Sequence, residues 1–167
     1  ADNVEIGEMA GQYLSQLIGN KGKVVEITGL SGSSPAIDRS TGFFAALNQL
    51  KALKIAKTVS GDWMEDTTKN ILSKIHWQLK DIDAIFAHND NMALGARKIL
   101  NKYYPEKHIP IVGVDACFGE GGGLDMVYDA KITATLVYPT LGKEAIWTAL
   151  DILKGLPFKK ENKLSSI

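Results

Sequence analysis

The sequence is short of the residues on which most enzyme chemistry rests. It has three histidines, the last at His108, and one cysteine, Cys117. A single thiol excludes an internal disulfide and any multi-cysteine metal site, and a lone cysteine just after Asp115 reads as structural rather than reactive. A serine hydrolase of the G-x-S-x-G type needs an acid and a histidine downstream of its nucleophile; Ser31 has the wrong flanks, and nothing after His108 can serve as the base. Neither sign of charge is in excess. Nineteen Lys and Arg balance nineteen Asp and Glu, so no overall field draws nucleic acid or an anionic membrane, and a neutral partner suits the chain better. Apolar runs stay far below the roughly 20 residues of a membrane span, so this segment inserts no helix, and no signal peptide opens it.

What is present is ordinary globular composition, 45% hydrophobic and 23% charged over 167 residues, enough for one domain with a sizeable core. Strand and helix signals alternate without a linker or repeat. Asn3 is the expected cap of a first helix with an apolar face of Ile6, Ala10, Tyr13, Leu14 and Leu17, closed by Gly19. A strand over 23–28 leads through a glycine-containing turn to Ser34 as cap and Pro35 at the first helical position, with Ile37, Phe44 and Leu47 expected to be buried. A second strand over 55–59 precedes a capping-box pattern, Asp62 with Glu65, and an inner face of Ile71, Leu72, Ile75 and Leu79. Strand three, 83–87, is followed by Asp90 as cap of a helix carrying Ala93, Ala96, Leu100 and Tyr103. Strand four, 109–114, runs into glycines 119–123 and a short helix to Tyr128. Strand five, 132–137, precedes a last helix opened by Thr140 and ended at Gly155. Both ends read as cut: the chain starts directly on a helix signal, and residues 164–167 look like the opening of a strand.

Strands separated by helices of about ten or more residues pair in parallel with right-handed crossovers. The expected fold is therefore α/β, a three-layer, doubly wound parallel sheet in the flavodoxin-like order 2-1-3-4-5, each helix burying an apolar stripe on it. In such a sheet the loops after the carboxyl ends of the strands share one crevice. That edge collects Arg39, Trp63, Asn89, Asp115 and Tyr138. Arg39 offers forked donors, Asp115 accepts from two hydroxyls at once, Asn89 does either, and Trp63 gives a flat face for the C–H side of a sugar ring. Simpler roles stay open: Asn89 and Asp90 as helix caps, Arg39 paired with Asp115, Trp63 stapling a helix start. The turn over 29–34 lacks both the Walker lysine and the G-x-G-x-x-G spacing of phosphate loops. A metal-dependent enzyme would need His88, Asp90 and Asp115 to converge on an ion. No cofactor is implied.

At these residues the sequence resembles the type I periplasmic sugar-binding proteins of the ribose-binding group, which are related to the effector domains of LacI-type repressors. The resemblance is carried by Asp2-Asn3 with Gly7 and Met9-Ala10-Gly11, by Gly32-Ser33-Ser34 with Arg39 and Gly42-Phe43, and by Gly61-Asp62-Trp63. It is carried most specifically by the run from Ala84 through His88-Asn89-Asp90 to Ala96, and by Val112-Gly113-Val114-Asp115. It extends over nearly the whole chain but covers only the C-terminal lobe of a two-lobed fold. It implies a non-enzymatic, periplasmic lobe that closes on a monosaccharide with a missing N-terminal lobe. It places Arg39, Asn89 and Asp115 on sugar hydroxyls, Trp63 on the ring, and Tyr138 at a polar contact. The partners implied are a sugar, the other lobe, and a kinase or an ABC permease. Ser33-Ser34-Pro35-Ala36, Asp115-Ala116 and Tyr138-Pro139-Thr140 look closest to sensor versions fused to hybrid two-component kinases of gut Bacteroidetes. The rival within the binding class is the effector domain of a LacI-type repressor.

Overall fold

The computed structural model describes residues 1–49 and 53–159. The elements in chain order are α1 (Asn3–Leu17), β1 (Gly22–Thr28), α2 (Ser34–Gln49), β2 (Leu53–Ser60) and α3 (Glu65–Lys74). After a 3₁₀ turn (His76–Leu79) come β3 (Ala84–Ala87), α4 (Asp90–Tyr103), β4 (Ile111–Asp115), α5 (Gly123–Tyr128), β5 (Ala134–Val137) and α6 (Gly142–Leu153). The five strands form one parallel sheet in the order β2-β1-β3-β4-β5, as the alternation of elements predicts. The expected strand over residues 164–167 lies outside the described residues.

Alternation along the strands divides the core into two layers. Val24, Ala84, Phe86, Val112 and Val114 face α1 and α2, where they meet Ile6, Ala10, Leu14, Phe43 and Leu47. Val25, Ile27, Ile85, Ala87 and Ile111 face the other way, against Leu72 of α3, Met92, Ala96 and Leu100 of α4, and Met126 of α5.

α1 and α2 cross at very short range. A methyl group on Gly42 would overlap the Val4 carbonyl and lie 2.9 Å from Glu8 N, and one on Gly7 would overlap the Arg39 carbonyl and lie 2.7 Å from Phe43 N. This contact sets the buried face of α2. Ala36, Arg39, Phe43, Ala46 and Leu47 point inward, whereas Ile37 (55% exposed) and Phe44 (58%), expected in the core, lie on the outer stripe. Proximity of small residues, not side-chain bulk, decides which face packs. Tyr13 and Leu17 of α1 are likewise exposed.

Five helix starts differ from expectation by one residue or more. Asp2, not Asn3, caps α1, its Oδ1 accepting from Val4 N and Glu5 N at 3.1 Å each. Asn89, not Asp90, caps α4 by accepting from Met92 N at 2.9 Å. Asp62 is not a cap: α3 starts after Met64 without a side-chain cap, and Asp62 instead accepts from Ser60 Oγ at 2.6 Å. Ser33, rather than Ser34, precedes the first turn of α2, its carbonyl accepting from Ala36 N and Ile37 N. The last helix follows Leu141, not Thr140.

The expectation that every helix buries a stripe on the sheet fails at α6, none of whose residues is buried. Ile146 (64%), Trp147 (58%) and Leu153 (82%) stand exposed on a helix rich in apolar residues.

Candidate functional site

Arg39 sits at the centre of the crevice edge. The close crossing of α1 and α2 brings Asn3 to it, and Arg39 Nε donates to Asn3 Oδ1 at 2.9 Å. Arg39 Nη1 donates to the His88 carbonyl at the end of β3. The guanidinium is buried (4% exposed) and lies 5.6 Å from the Trp63 ring and 5.2 Å from the Tyr138 ring. Burial depresses its pKa, an effect that Asp115, Tyr138 and Asp90 oppose. Two of its five N–H groups are accounted for by Asn3 and His88, which leaves the rest of the fork for a ligand.

Trp63 ends a turn in which Asp62 (φ 52°) and Trp63 (φ 66°) both occupy the left-handed region that non-glycine residues seldom adopt. The indole packs directly on Gly29, where any Cβ would collide with its six-membered ring. That close approach explains the glycine better than the conformational demands of a turn. Asn89 clamps the same turn: its Nδ2 donates to the Trp63 carbonyl at 3.1 Å while its Oδ1 caps α4. Asn89 thus has one amide N–H and one lone pair left to offer.

Asp115, half-buried at the end of β4, has φ 121°, and Ala116 after it φ 52°. Burial raises the Asp115 pKa, and the Arg39 charge partly offsets this. The two are coupled electrostatically through the crevice. Tyr138 N donates to the Asp115 carbonyl at 3.4 Å, which ties the end of β5 to the same turn. Arg39, Trp63, Asn89, Asp115 and Tyr138 therefore surround one another, a buried cation between two aromatic rings beside an amide and a carboxylate.

Sequence reasoning missed what lies beneath. His88, weighed above as a metal ligand, is fully buried, and its Nε2 lies 3.1 Å from Glu26 Oε1 on β1. Ser40 and Thr58 hydroxyls donate to the same carboxylate at 2.7 and 3.1 Å. Burial works against ionisation of Glu26, but the bonds from His88, Ser40 and Thr58 outweigh it and hold its pKa below the ordinary range. Burial lowers the His88 pKa despite Glu26. A neutral imidazole donating from Nε2 to a carboxylate satisfies both shifts, and His88 Nδ1 then remains an acceptor without a partner among the described residues. The signal was in the alternation: Val24 and Glu26 on β1 share a face with Ala84, Phe86 and His88 at β3.

Among the described residues no three His, Cys, Asp or Glu side chains group closely enough to hold a metal ion, so the convergence of His88, Asp90 and Asp115 that a metal-dependent enzyme would need does not form. Cys117 is exposed and packs no core, contrary to the structural role expected for it. A concavity of about 760 Å³ lies at the opposite end of the sheet, before β4 and β5, lined in part by Arg97, His108 and Lys131. No helix among the described residues is long and apolar enough to cross a membrane. At the crevice edge, the arrangement suits a small neutral molecule with vicinal hydroxyls and an apolar face: two hydroxyl donors to Asp115, acceptors to Arg39, and a ring face to Trp63.

Comparison with known proteins gives the same fold. The profile of the periplasmic binding protein domain matches residues 1–157. The ribose import binding protein of Bacillus subtilis (strain 168) is 33% identical over 162 residues, covering 96% of this chain and 51% of that protein. The galactofuranose-binding protein of Escherichia coli (strain K12) is 36% identical over 100 residues, 58% of this chain and 31% of its own. The fructose-binding periplasmic domain of a hybrid two-component system superposes with a TM-score of 0.95 at 37% identity, over 100% of this chain and 56% of that one. A solute-binding protein of an ABC transporter from Actinobacillus succinogenes with bound D-allose gives a TM-score of 0.87 at 25% identity, over 100% and 58% of the two chains. The chain spans about half the length of the relatives it matches from end to end.

Proposed function

The chain belongs to the periplasmic binding protein domain family, and we propose that within it this is the C-terminal lobe of a two-lobed receptor that closes around a monosaccharide. The observation that carries the reading is the buried Arg39 guanidinium, held by Asn3 and the His88 carbonyl between Trp63 and Tyr138 and facing the Asp115 charge. Three spare N–H groups, a carboxylate and a spare amide function match the donors and acceptors of a polyol. An indole beside them matches its C–H face. Placing this edge against a second lobe would enclose the ligand and strengthen every polar contact.

The missing lobe also accounts for α6. Apolar side chains such as Ile146, Trp147 and Leu153 on a helix with no buried residue are a surface prepared for partner contact, and the first lobe of the same protein is the natural cover. Hinge closure of the two lobes would then be the switched event. The higher identity and TM-score with the fructose-binding periplasmic domain of a hybrid two-component system (37%, 0.95) than with the ABC-transporter solute-binding protein (25%, 0.87) favour signalling to a kinase over delivery to a permease. The receptor's place is the periplasm. The test is a thermal-shift and calorimetric screen of D-ribose, D-fructose, D-allose and other monosaccharides on the two-lobed parent. A stabilising sugar whose effect Asp115→Ala removes is the expected result; indifference to the whole panel would overturn the reading.

A further inference from the structure

We infer that Asp90 is a positioning residue for the ligand-binding turn: its carboxylate fixes the left-handed Asp115–Ala116 backbone and so sets where the Asp115 side chain stands beside Arg39. The functional consequence rests on the sugar-contact role proposed for Asp115.

Asp90 is the first residue of α4 and would ordinarily be explained as a cap, but Asn89 performs that task. Its side chain turns inward instead and is buried (4% exposed) under the crevice. Asp90 Oδ2 accepts from Ala116 N at 3.0 Å. The same N–H is shared with Thr135 Oγ1 at 3.1 Å, and the Thr135 side chain also hydrogen-bonds to the Asp90 carboxylate. The bond thus falls on a backbone that needs holding, since Asp115 (φ 121°) and Ala116 (φ 52°) are consecutive non-glycine residues in a sparsely populated region.

The surroundings are shaped for this carboxylate. A Cβ on Gly113 would strike Asp90 Oδ1, and one on Gly123 would strike Oδ2, so both glycines clear its path from α4 to the β4 turn. Oδ1 has no hydrogen-bond partner among the described residues, and the charged groups that act on the side chain are Asp115 and Arg39. Burial, with the Asp115 charge adding to it, lifts the Asp90 pKa to about 6, against the opposing pull of Thr135, Ala116 and Arg39. A buried carboxylate retained at that cost, off the helix cap and on the amide of a strained turn, is placed to hold the turn.

The test uses amide NMR on the 167-residue chain. In an Asp115→Asn background, which removes the neighbouring carboxyl's own titration from this amide, the Ala116 resonance is expected to move with pH as Asp90 titrates and to stay still when Asp90→Asn, which keeps an acceptor oxygen, is added. In Asp90→Ala, the Asp115 and Ala116 amides should shift and exchange about tenfold faster, one hydrogen bond's worth, while amides of β1 and β3 stay in place. If Asp90→Ala does not fold, the contrast between Asp115→Asn and the Asp115→Asn, Asp90→Asn double variant decides alone. Asp115 and Ala116 amides unchanged in Asp90→Ala, or an Ala116 titration in the Asp115→Asn background that persists when Asp90→Asn is added, would overturn the inference. In the two-lobed parent, calorimetry with D-fructose and D-ribose should show Asp90→Ala binding about tenfold more weakly and Asp90→Asn nearly as wild type. Failure of the sugar reading shows itself differently, as no heat from the wild-type parent with either sugar, and leaves the NMR result standing.

Discussion

Replacing Asp90 by asparagine removes a charge while nearly preserving shape, and the response of stability to pH follows from the burial of that charge. Burial pushes the carboxyl from an ordinary 3.8 to about 6. A carboxyl whose folded pKa lies above its unfolded one binds its proton more tightly in the native state. It therefore stabilises the fold fully below 3.8 and loses that contribution as pH rises through about 6. The interval amounts to about 3 kcal/mol at about 1.36 kcal/mol per pH unit, and roughly 2 kcal/mol of it falls between about pH 4 and about pH 7. Asparagine has no such loss. Urea unfolding of the two proteins across this range should show the stability difference moving by about 2 kcal/mol in favour of Asp90→Asn as pH rises. Any fixed offset from the new amide's own hydrogen bonds leaves that slope alone. Glu26 and His88 titrate in both proteins and cancel in the difference. Asp115 couples directly to Asp90, so repeating the pair in an Asp115→Asn background removes the shared part of the titration. A difference that stays flat with pH, or moves the other way, would refute the argument that Asp90 is ionised and buried at a cost.

Further outcomes follow from the crevice and its support. In the two-lobed parent, Asp115→Ala should abolish the sugar response with the fold intact, because enclosed hydroxyl donors lose their acceptor at about 1–3 kcal/mol each; calorimetry and circular dichroism check both halves. Trp63→Ala should weaken binding less, since an apolar neighbour partly refills the space, and calorimetry on the same parent reads the difference. Gly42→Ala should destabilise the chain by about 1–3 kcal/mol through collision with the Val4 carbonyl, measured by urea melts, and the separation of α1 from α2 should cost Arg39 its bond to Asn3. The lobe by itself should bind sugar only in the millimolar range or not measurably, because forfeiting about 4 kcal/mol of contacts from the other lobe is roughly a thousandfold; tight binding by this chain in calorimetry would contradict the two-lobed reading.

The sheet order was legible because strictly alternating strands and helices leave few arrangements. The crevice-edge residues were legible because each stands just after a strand or early in the helix that follows it. What failed was local competition and long-range contact. Asp2-Asn3 and Asn89-Asp90 are each pairs of cap-competent residues, and sequence gives no rule for which neighbour wins. The loser in each pair is the informative residue, since Asn3 reaches Arg39 across 36 positions and Asp90 reaches Ala116 across 26. Alternation puts Glu26 and His88 on one face, but their pairing also depends on β1 and β3 being neighbours in a given register, which alternation alone does not fix. The face of α2 was misjudged because Ile37 and Phe44 carry more apolar surface than Ala36 and Gly42, while the approach of α1 rewards small size. The stripe on α6 is legible as apolar, but what covers it cannot be inferred from its own residues.

The indole resting on Gly29 gives the protein an optical reporter. Of the three tryptophans, Trp77 (61% exposed) and Trp147 (58%) stand in solvent, whereas Trp63 is partly enclosed, 6.4 Å from the His88 ring and 5.6 Å from the Arg39 guanidinium. One side of Trp63 is occupied by Gly29, so under the proposed sugar-binding role a molecule entering the crevice would meet the indole away from that contact. Emission from Trp77 on the described surface is then a steady background, and the wavelength and intensity changes on ligand entry belong to Trp63. A single Trp63→Phe substitution separates that signal from any change at Trp147, whose own emission would instead report whether α6 is covered.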